Sequence, residues 1–316
     1  MSSPEPKSQP PIAGSLRPTP RTLEQIREAT GLDISCPDPD LSIDGVTVPT
    51  IPSPNKVLFL DDPTEEHLAA IVESDLQKCL VVMRACYAPQ LNSAVIVHAV
   101  PRYAYAKVVS YLYDYENRFL RLQSGIAKSA IVSESAFVAA GVTIGEQSIV
   151  GANTILMPNV VVGANCSIGD NVIVKSGTVI GQPGFGIISD PELGNVHFPQ
   201  VGGVIIEDNV EIGALNTVAS GTILPTVVEE SVKTNDHVHI GHNCRIGRKS
   251  IVNACADMSG SVRIGEYSWI GPNCSVINGS QIGDRALVGI GAVVVKPVGA
   301  GDVVVGNPAR VLRKRK

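Results

Sequence analysis

Aliphatic side chains recur at every sixth residue over two long parts of the chain, and glycine often follows them. The first run extends from Ile126 to Ile180 and the second from Ile240 to Val294. This spacing matches neither an α-helix, which has 3.6 residues per turn, nor a β-strand, which has a period of two. A six-residue period predicts a left-handed parallel β-helix of hexapeptide repeats, in which three short strands form one triangular coil of about eighteen residues. The predicted fold class is therefore mainly β.

The six-residue period is interrupted twice. It lapses between Gly181 and Gly203, resumes at Ile206, shifts phase by four residues near Val228 and recovers at Ile240. The wall of a packed solenoid cannot absorb extra residues, so insertions leave it as loops, and loops on such scaffolds often form binding sites. We expect function to lie where the pattern breaks.

The segment before the repeat has a different pattern, which is typical of a small α/β domain. Helices are predicted at 22–30, 64–74 and 101–113, and strands at 56–60, 79–83 and 94–97. The predicted organisation is a disordered leader rich in proline and serine (1–20), the α/β domain (21–115), a polar linker (116–125), the β-helix (126–298), and a cap with a basic tail (299–316).

Composition agrees with a folded, β-rich protein. The chain has 316 residues, of which 44% are hydrophobic, 30 are glycine and only 4% are aromatic, and a narrow prism has little room for rings. The formal charge of -5 gives no broad basic face for nucleic acid. The seven cysteines form no C-x-x-C pair, and no apolar run of about eighteen residues occurs. We therefore expect a cytoplasmic protein with free thiols and without a membrane span.

Three of the six histidines cluster in the second run of repeats, at His237, His239 and His242. Because Val238 and Ile240 occupy inward positions, the first two histidines should point outward, and the third should lie at a corner of the prism. A neutral imidazole at such a corner can take a proton from an attacking group, provided that a partner holds its other nitrogen. His242 is therefore the candidate general base.

Two further features would complete a catalytic site around His242. Asp236 and Asp257 are alternative partners for its ring. Gly260 follows His242 by one coil, which places its amide about 5 Å away in the same column of the prism. An amide with no side chain beside it can approach a developing oxyanion. On spacing alone, Gly260 could equally be a turn glycine.

A zinc site is an alternative interpretation of His237, His239 and His242, because some trimeric β-helices bind zinc through three histidines and hydrate carbon dioxide. These three residues lie within one strand and corner, whereas metal sites of that type draw ligands from separate coils and chains. The spacing therefore predicts no metal site. A catalytically silent scaffold is a third possibility.

Four features follow one another along the chain: the α/β domain, the β-helix, a loop from Gly184 to Gln200, and the Ile240-Gly241-His242-Asn243 motif with Gly260 one coil later. Over about residues 22–298 this order resembles the UDP-3-O-acylglucosamine N-acyltransferases of lipid A biosynthesis. The resemblance implies a homotrimer with active sites between subunits, a general base at His242 and an oxyanion donor at Gly260. It also implies an acyl donor on the phosphopantetheine of acyl carrier protein, a nucleotide amino sugar as acceptor, uridine recognition by the α/β domain, and no permanently bound cofactor.

The chain departs from that family at three places. The family stacks uracil between two aromatic residues; Phe59 matches the first, Glu65 occupies the position of the second, and Asp62 replaces an asparagine. A second family histidine has no counterpart at 277–280. The segment 306–310 resembles instead the ending of small sugar N-acetyltransferases, in which this loop lies beside coenzyme A. The alternative function is therefore a short-chain N-acetyltransferase that uses acetyl-CoA on a nucleotide amino sugar for surface polysaccharide.

The predicted site residues form three groups. The catalytic group is His242, Gly260 and Asp236; the substrate-binding group is Phe59, Asp62, Phe185, His197, Gln200, His239 and Asn243; the group that binds the acyl donor is Gly306, Asn307, Pro308, Ala309 and Arg310.

Overall fold

The computed structural model describes residues 18–51, 53–64, 78–88, 93–115, 117 and 124–315. The chain forms two compact units. One comprises Leu122–Gln182 with Gly202–Lys316, and the other comprises Arg17–Arg121 with Pro183–Val201. The predicted β-helix (126–298) included 183–201, whereas in the structure this insertion belongs to the α/β unit.

The α/β unit is built on a three-stranded parallel sheet. Its elements are β1 (Arg21–Thr22), α1 (Leu23–Thr30), β2 (Ser42–Ile43), β3 (Val57–Leu60), β4 (Leu80–Met83), β5 (Ala94–Val97) and α2 (Pro101–Leu112). Helix α1 begins at a capping box formed by Thr22 and Gln25, and it ends at Gly31 in the left-handed conformation. Strands β3, β4 and β5 pair in that order. These elements confirm the predicted ones to within one residue or two, but residues 65–74 of the remaining predicted helix lie outside the described residues.

The other unit is a solenoid of short strands. Its first strands are β6 (Ile131–Val132), β7 (Phe137–Val138), β8 (Thr143–Ile144), β9 (Ile149–Val150), β10 (Ile155–Leu156), β11 (Val161–Val162), β12 (Cys166–Ile168), β13 (Ile173–Val174) and β14 (Val179–Pro183). The insertion that follows forms an antiparallel hairpin of β15 (Ile187–Asp190) and β16 (Gly194–His197).

The solenoid resumes after the insertion. Its later strands are β17 (Val204–Ile206), β18 (Glu211–Ile212), β19 (Thr217–Ser220), β20 (Thr226–Val228), β21 (Lys233–Thr234), β22 (His239–Ile240), β23 (Arg245–Ile246), β24 (Ile251–Val252), β25 (Asp257–Met258), β26 (Arg263–Ile264), β27 (Trp269–Ile270), β28 (Ser275–Val276), β29 (Gln281–Ile282), β30 (Leu287–Val288), β31 (Val293–Val294), β32 (Asp302–Val305) and β33 (Arg310–Lys314).

Three sheets form the walls of the prism. Sheet I runs β7-β10-β13-β18-β21-β24-β27-β30-β32-β33, sheet II runs β8-β11-β14-β19-β22-β25-β28-β31, and sheet III runs β6-β9-β12-β17-β20-β23-β26-β29. Neighbouring strands pair in parallel one coil apart, except that β33 pairs antiparallel with β32. The predicted left-handed β-helix is confirmed.

The two interruptions of the sequence period are insertions between paired strands. Leu156 pairs with Val174, eighteen residues later, as in an uninterrupted coil. Ile168 pairs with Ile206 across the insertion, and Ile206 pairs with Val228, twenty-two residues later, where the phase shifts. The extra residues therefore leave the wall without changing which side chains point inward.

The inward side chains form one continuous core. Leu156 and Ile240 are at most 1% exposed. Cys166, Cys244 and Cys274 are buried in the same core, as predicted, and burial raises the pKa of these thiols to about 12, 11 and 11, respectively. They are therefore packing residues and not reactive thiolates.

Leu156→Ala should destabilise the β-helix by about 2–5 kcal/mol, because it removes a fully buried side chain and leaves a cavity in a closely packed prism. Denaturant unfolding followed by circular dichroism measures the loss. The matched control is Ile155→Ala, because Ile155 points outward on the same strand and should cost about 1 kcal/mol or less. Equal losses in the two variants would contradict the inward assignment.

Candidate functional site

The histidine cluster lies on strand β22 and on the corner that follows it. Ile240 points into the prism, and His237 and His239 are exposed on the outer surface, as predicted. Nδ1 of His239 lies 2.6 Å from Oγ1 of Thr217 on the neighbouring strand β19. His242 lies beyond the end of β22, at the corner between sheets II and III, where its side chain is half-buried.

The ring of His242 covers Gly260 in the next coil. A Cβ atom at position 260 would lie 2.5 Å from both Cε1 and Nε2 of the ring, and 2.9 Å from Oδ1 of Asn278. The φ of Gly260 is outside the left-handed region, so the turn itself does not require glycine here. Gly260 is therefore needed to make room for the imidazole.

The backbone N–H of Gly260 has no hydrogen-bond partner within the described part of the chain. At the equivalent position of two hexapeptides on the other sheets, a side chain accepts from the amide: Asp236 accepts from the Ala214 N–H at 2.8 Å, and Asp284 accepts from the Glu266 N–H at 2.9 Å. An unused amide beside an imidazole is suited to stabilise negative charge that develops on a carbonyl oxygen.

Asn243 is the side chain that holds the ring of His242. Its Nδ2 lies 3.2 Å from Nδ1 of His242. Its Oδ1 accepts from the backbone N–H of Thr222 at 2.8 Å and from the Thr222 hydroxyl at 3.0 Å. Asn243 was expected to contact substrate, but both ends of its side-chain amide form hydrogen bonds within the chain. Thr222 is a site residue that was not predicted from the sequence.

Neither predicted carboxylate is hydrogen-bonded to the His242 ring within the described residues. Asp236 accepts a hydrogen bond from the Ala214 N–H, and it lies at the other end of β22, one whole side of the triangle away. Asp257 lies in register with His239 on the adjacent strand β25. The expectation that Asp236 orients the ring from within the same chain is therefore wrong, because six residues separate two different corners of the prism.

Burial lowers the pKa of His242 below its ordinary value of 6.5, and the charge of nearby His239 lowers it further. The imidazole is therefore neutral at neutral pH. A neutral ring can accept a proton, which is what the predicted role of general base requires.

Asn278 is a second residue that the sequence analysis did not single out. It follows Gly260 by one coil, so the column at this corner is His242, Gly260 and Asn278. The side chain is exposed and its Oδ1 approaches Gly260. The eighteen-residue spacing that related His242 to Gly260 would also have found it.

The segment Gly306–Arg310 extends sheet II beyond its last strand. Val293 of β31 donates its N–H to the Gly306 carbonyl at 3.0 Å, and Ala309 donates to the Val293 carbonyl at 2.8 Å. Asn307, Pro308 and Arg310 are exposed. The segment lies three coils beyond Gly260, or about 14 Å along the prism.

An aromatic cluster joins the predicted Phe59 to the insertion within the α/β unit. The ring centroid of Phe59 lies 4.9 Å from that of Tyr105 on α2 and 5.8 Å from that of Phe198. Arg102 lies over Phe59 at 5.8 Å and donates to Asp61. Tyr105 and Phe198 were not predicted as site residues, since no repeat period relates them to Phe59.

The other predicted substrate-binding residues of this unit are mostly exposed. Asp62 is exposed, Phe185 is 84% exposed, and His197 is exposed on β16. Gln200 is buried, and its Oε1 accepts from the Gly184 N–H at 2.6 Å, so it closes the base of the insertion. Residue 65 lies outside the described residues.

Two absences concern the described ranges of the chain. His, Cys, Asp and Glu side chains form no group of three or more that could hold a metal ion there. No helix there is long and apolar enough to cross a membrane.

The fold and the repeat match known transferases. The family model for bacterial transferase hexapeptide (six repeats) matches residues 147–182 and 261–296, and the model for the hexapeptide repeat of succinyl-transferase matches residues 133–158. A solved UDP-N-acetylglucosamine acyltransferase from Francisella novicida has a TM-score of 0.54 and 28% identity, over 59% of this chain and 66% of that one. These matches define the class as a hexapeptide-repeat acyltransferase.

The curated relatives are more specific. The UDP-3-O-acylglucosamine N-acyltransferase of Delftia acidovorans is 38% identical over 292 residues, which cover 90% of this chain and 85% of that protein. The chain belongs to the UDP-3-O-acylglucosamine N-acyltransferase family. A relative of the same name from a Caulobacter species is 38% identical over 139 residues, and this match spans 44% of the chain but only 41% of the relative.

Proposed function

We propose that this chain transfers an acyl group from a pantetheine thioester to the amine of a nucleotide-linked amino sugar. The observation that carries the proposal is the stacking of the His242 ring on Gly260, whose amide has no partner among the described residues. The relatives, which are named as N-acyltransferases of a UDP-linked sugar, support the same chemistry.

In the proposed reaction the amine nitrogen bonds to the thioester carbon while the carbonyl oxygen gains negative charge. The Gly260 N–H stabilises that oxygen. His242 takes the proton that the nitrogen releases, the carbon–sulfur bond breaks with its electron pair on sulfur, and the proton passes to the thiolate. The products are an amide and a thiol. Alignment of the two substrates supplies a further share of the rate.

The donor is proposed to lie along the column from Gly260 to the exposed segment Gly306–Arg310. That segment lies about 14 Å from Gly260 along the prism, a separation comparable with an extended pantetheine arm. Both acyl carrier protein and coenzyme A carry a phosphate at the far end of this arm, and Arg310 is exposed with no ion pair among the described residues. The same placement therefore suits either donor.

We propose a homotrimer as the active assembly. His242 is half-buried at a corner of a single chain, so a neighbouring prism at that corner would close a groove around it and exclude water. The acceptor nucleotide is proposed to use the α/β unit, where Phe59 and Arg102 offer an aromatic surface and a cation.

A substrate panel tests the proposal. Purified protein is incubated with UDP- and dTDP-linked amino sugars, together with acetyl-CoA or 3-hydroxyacyl carrier protein, and both thiol release and amide formation are measured. We expect amine-dependent thiol release with at least one pair. Turnover with acetyl-CoA alone would select the short-chain alternative. Thiol release that does not depend on any amino sugar would refute the proposed acceptor class.

The rate of acyl transfer should depend on pH through His242. Because burial holds the pKa of His242 below 6.5, kcat should stay high at neutral pH and fall only as the pH drops through that lower value, where the ring becomes an imidazolium and cannot accept a proton. The measurement is a pH–rate profile with both substrates saturating. An acid limb centred above pH 7 would contradict a neutral, desolvated imidazole as the base.

A further inference from the structure

We propose that Asn243, fixed by the backbone amide of Thr222, sets the tautomer of His242 in the resting protein, with the hydrogen on Nε2 and the lone pair on Nδ1. This inference rests on the proposed function, because it concerns the ring assigned there as the base. It makes Asn243 a positioning residue and not a contact for substrate.

The orientation of the Asn243 amide is decided by its neighbours. Side-chain amide oxygen and nitrogen can be exchanged without changing the shape of the residue, so hydrogen bonds must distinguish them. The Thr222 N–H lies 2.8 Å from Oδ1 of Asn243, and a backbone N–H can only donate. The oxygen therefore faces Thr222, and the NH₂ group faces His242.

The tautomer of His242 follows from this orientation. The NH₂ group of Asn243 lies 3.2 Å from Nδ1 of the ring, and an NH₂ group can only donate, so Nδ1 must accept. In a neutral imidazole one nitrogen accepts and the other carries the hydrogen, so the hydrogen is on Nε2. Nε2 is one of the two ring atoms that lie over Gly260.

This arrangement has a mechanistic consequence. At rest, the His242 nitrogen over Gly260 is a hydrogen-bond donor, which can polarise a thioester carbonyl in the same way as the Gly260 amide. Before Nε2 can accept the proton of the amine, the ring hydrogen must move to Nδ1, which breaks the hydrogen bond from Asn243. The tautomer that can act as a base at Nε2 is thus the minor one until substrates bind.

The measurement is ¹⁵N NMR of full-length protein labelled at the histidine ring nitrogens, recorded above the pKa of His242. A ring nitrogen without hydrogen resonates far downfield of one that carries it, and the spectrum of His242→Ala identifies the signals among the six histidines. We expect the downfield signal at Nδ1 of His242. A downfield signal at Nε2 in the unmodified protein would overturn the proposal without any variant being needed.

Three variants test the cause. Asn243→Asp places an acceptor at Nδ1 and should move the hydrogen there, so that Nε2 becomes the downfield nitrogen. Asn243→Ala should change the ratio of the two tautomers by about two- to tenfold, as expected for loss of one neutral hydrogen bond. Thr222→Val is the matched control, because it keeps the backbone N–H and should leave the tautomer unchanged.

If the His242 tautomer were unaltered in Asn243→Asp, the proposed role of Asn243 would be overturned. If the tautomer were altered in Thr222→Val, the proposed role of the Thr222 backbone amide would be overturned. The spectra do not depend on turnover. If the substrate panel failed while the spectra behaved as expected, the proposed function would fall and the tautomer assignment would stand.

Discussion

Gly260→Ala is expected to lower acyl transfer by about a hundredfold or more while the β-helix stays folded. The new Cβ would lie 2.5 Å from Cε1 and Nε2 of His242, so the ring must rotate away from the corner. The ring is the far end of a side chain, so this movement costs little stability, but it removes the base and obstructs the amide that faces the oxyanion. Losses of this size accompany the removal of single oxyanion donors in other enzymes.

Ser259→Ala is the matched control for this variant, because Ser259 precedes Gly260 and its backbone N–H donates to Val276 whether or not the hydroxyl is present. Turnover should remain within about twofold of the unmodified protein, in keeping with a change that removes no catalytic group. Comparable losses in the two variants would show that the corner is sensitive to any change. Full activity in Gly260→Ala would show that the stacking of ring on glycine is irrelevant to the reaction.

His242→Ala has the second large expected effect, a fall in kcat of about 10²–10⁴-fold, which is the usual contribution of a positioned general acid or base. Among the described residues the side chain has one hydrogen bond, to Asn243, so the loss of activity should not reflect a loss of folding. Steady-state thiol release and a circular dichroism spectrum of the same sample separate the two effects.

His237→Asn is the control for this second prediction. His237 is exposed, has a φ of 59°, and is on the same stretch of chain. Asparagine tolerates that left-handed conformation, so the substitution removes an imidazole without straining the backbone. We expect no change in kcat beyond about twofold. If the kcat of His237→Asn fell as far as the kcat of His242→Ala, proton transfer could not be assigned to the imidazole ring over Gly260.

Most of the fold followed from one numerical feature of the sequence. The six-residue period identified the inward residues, and the eighteen-residue coil identified Gly260 as the neighbour of His242. Both depend only on the constant geometry of the solenoid. The prediction that Asp236 is a partner of the His242 ring was wrong, because the six residues between them span one side of the triangle.

The parts of the site that were missed lie where the period fails. Thr222 contacts Asn243 across the four-residue phase shift, so the coil spacing does not relate them. Phe198 belongs to an insertion without a repeat, and its packing on Phe59 and Tyr105 depends on how that insertion folds back within the α/β unit. Neither contact corresponds to a regular spacing of residues along the sequence.

We propose that acyl transfer occurs at the corner formed by His242 and Gly260. A crystal structure of the protein with a stable thioester analogue of the acyl-pantetheine donor tests it most directly. We predict that the analogue's carbonyl oxygen lies within about 3 Å of the Gly260 nitrogen, with the carbonyl carbon facing the His242 ring. A carbonyl bound elsewhere, for example in the surface groove lined by Arg245 and Arg263 on sheet III, would contradict the claim.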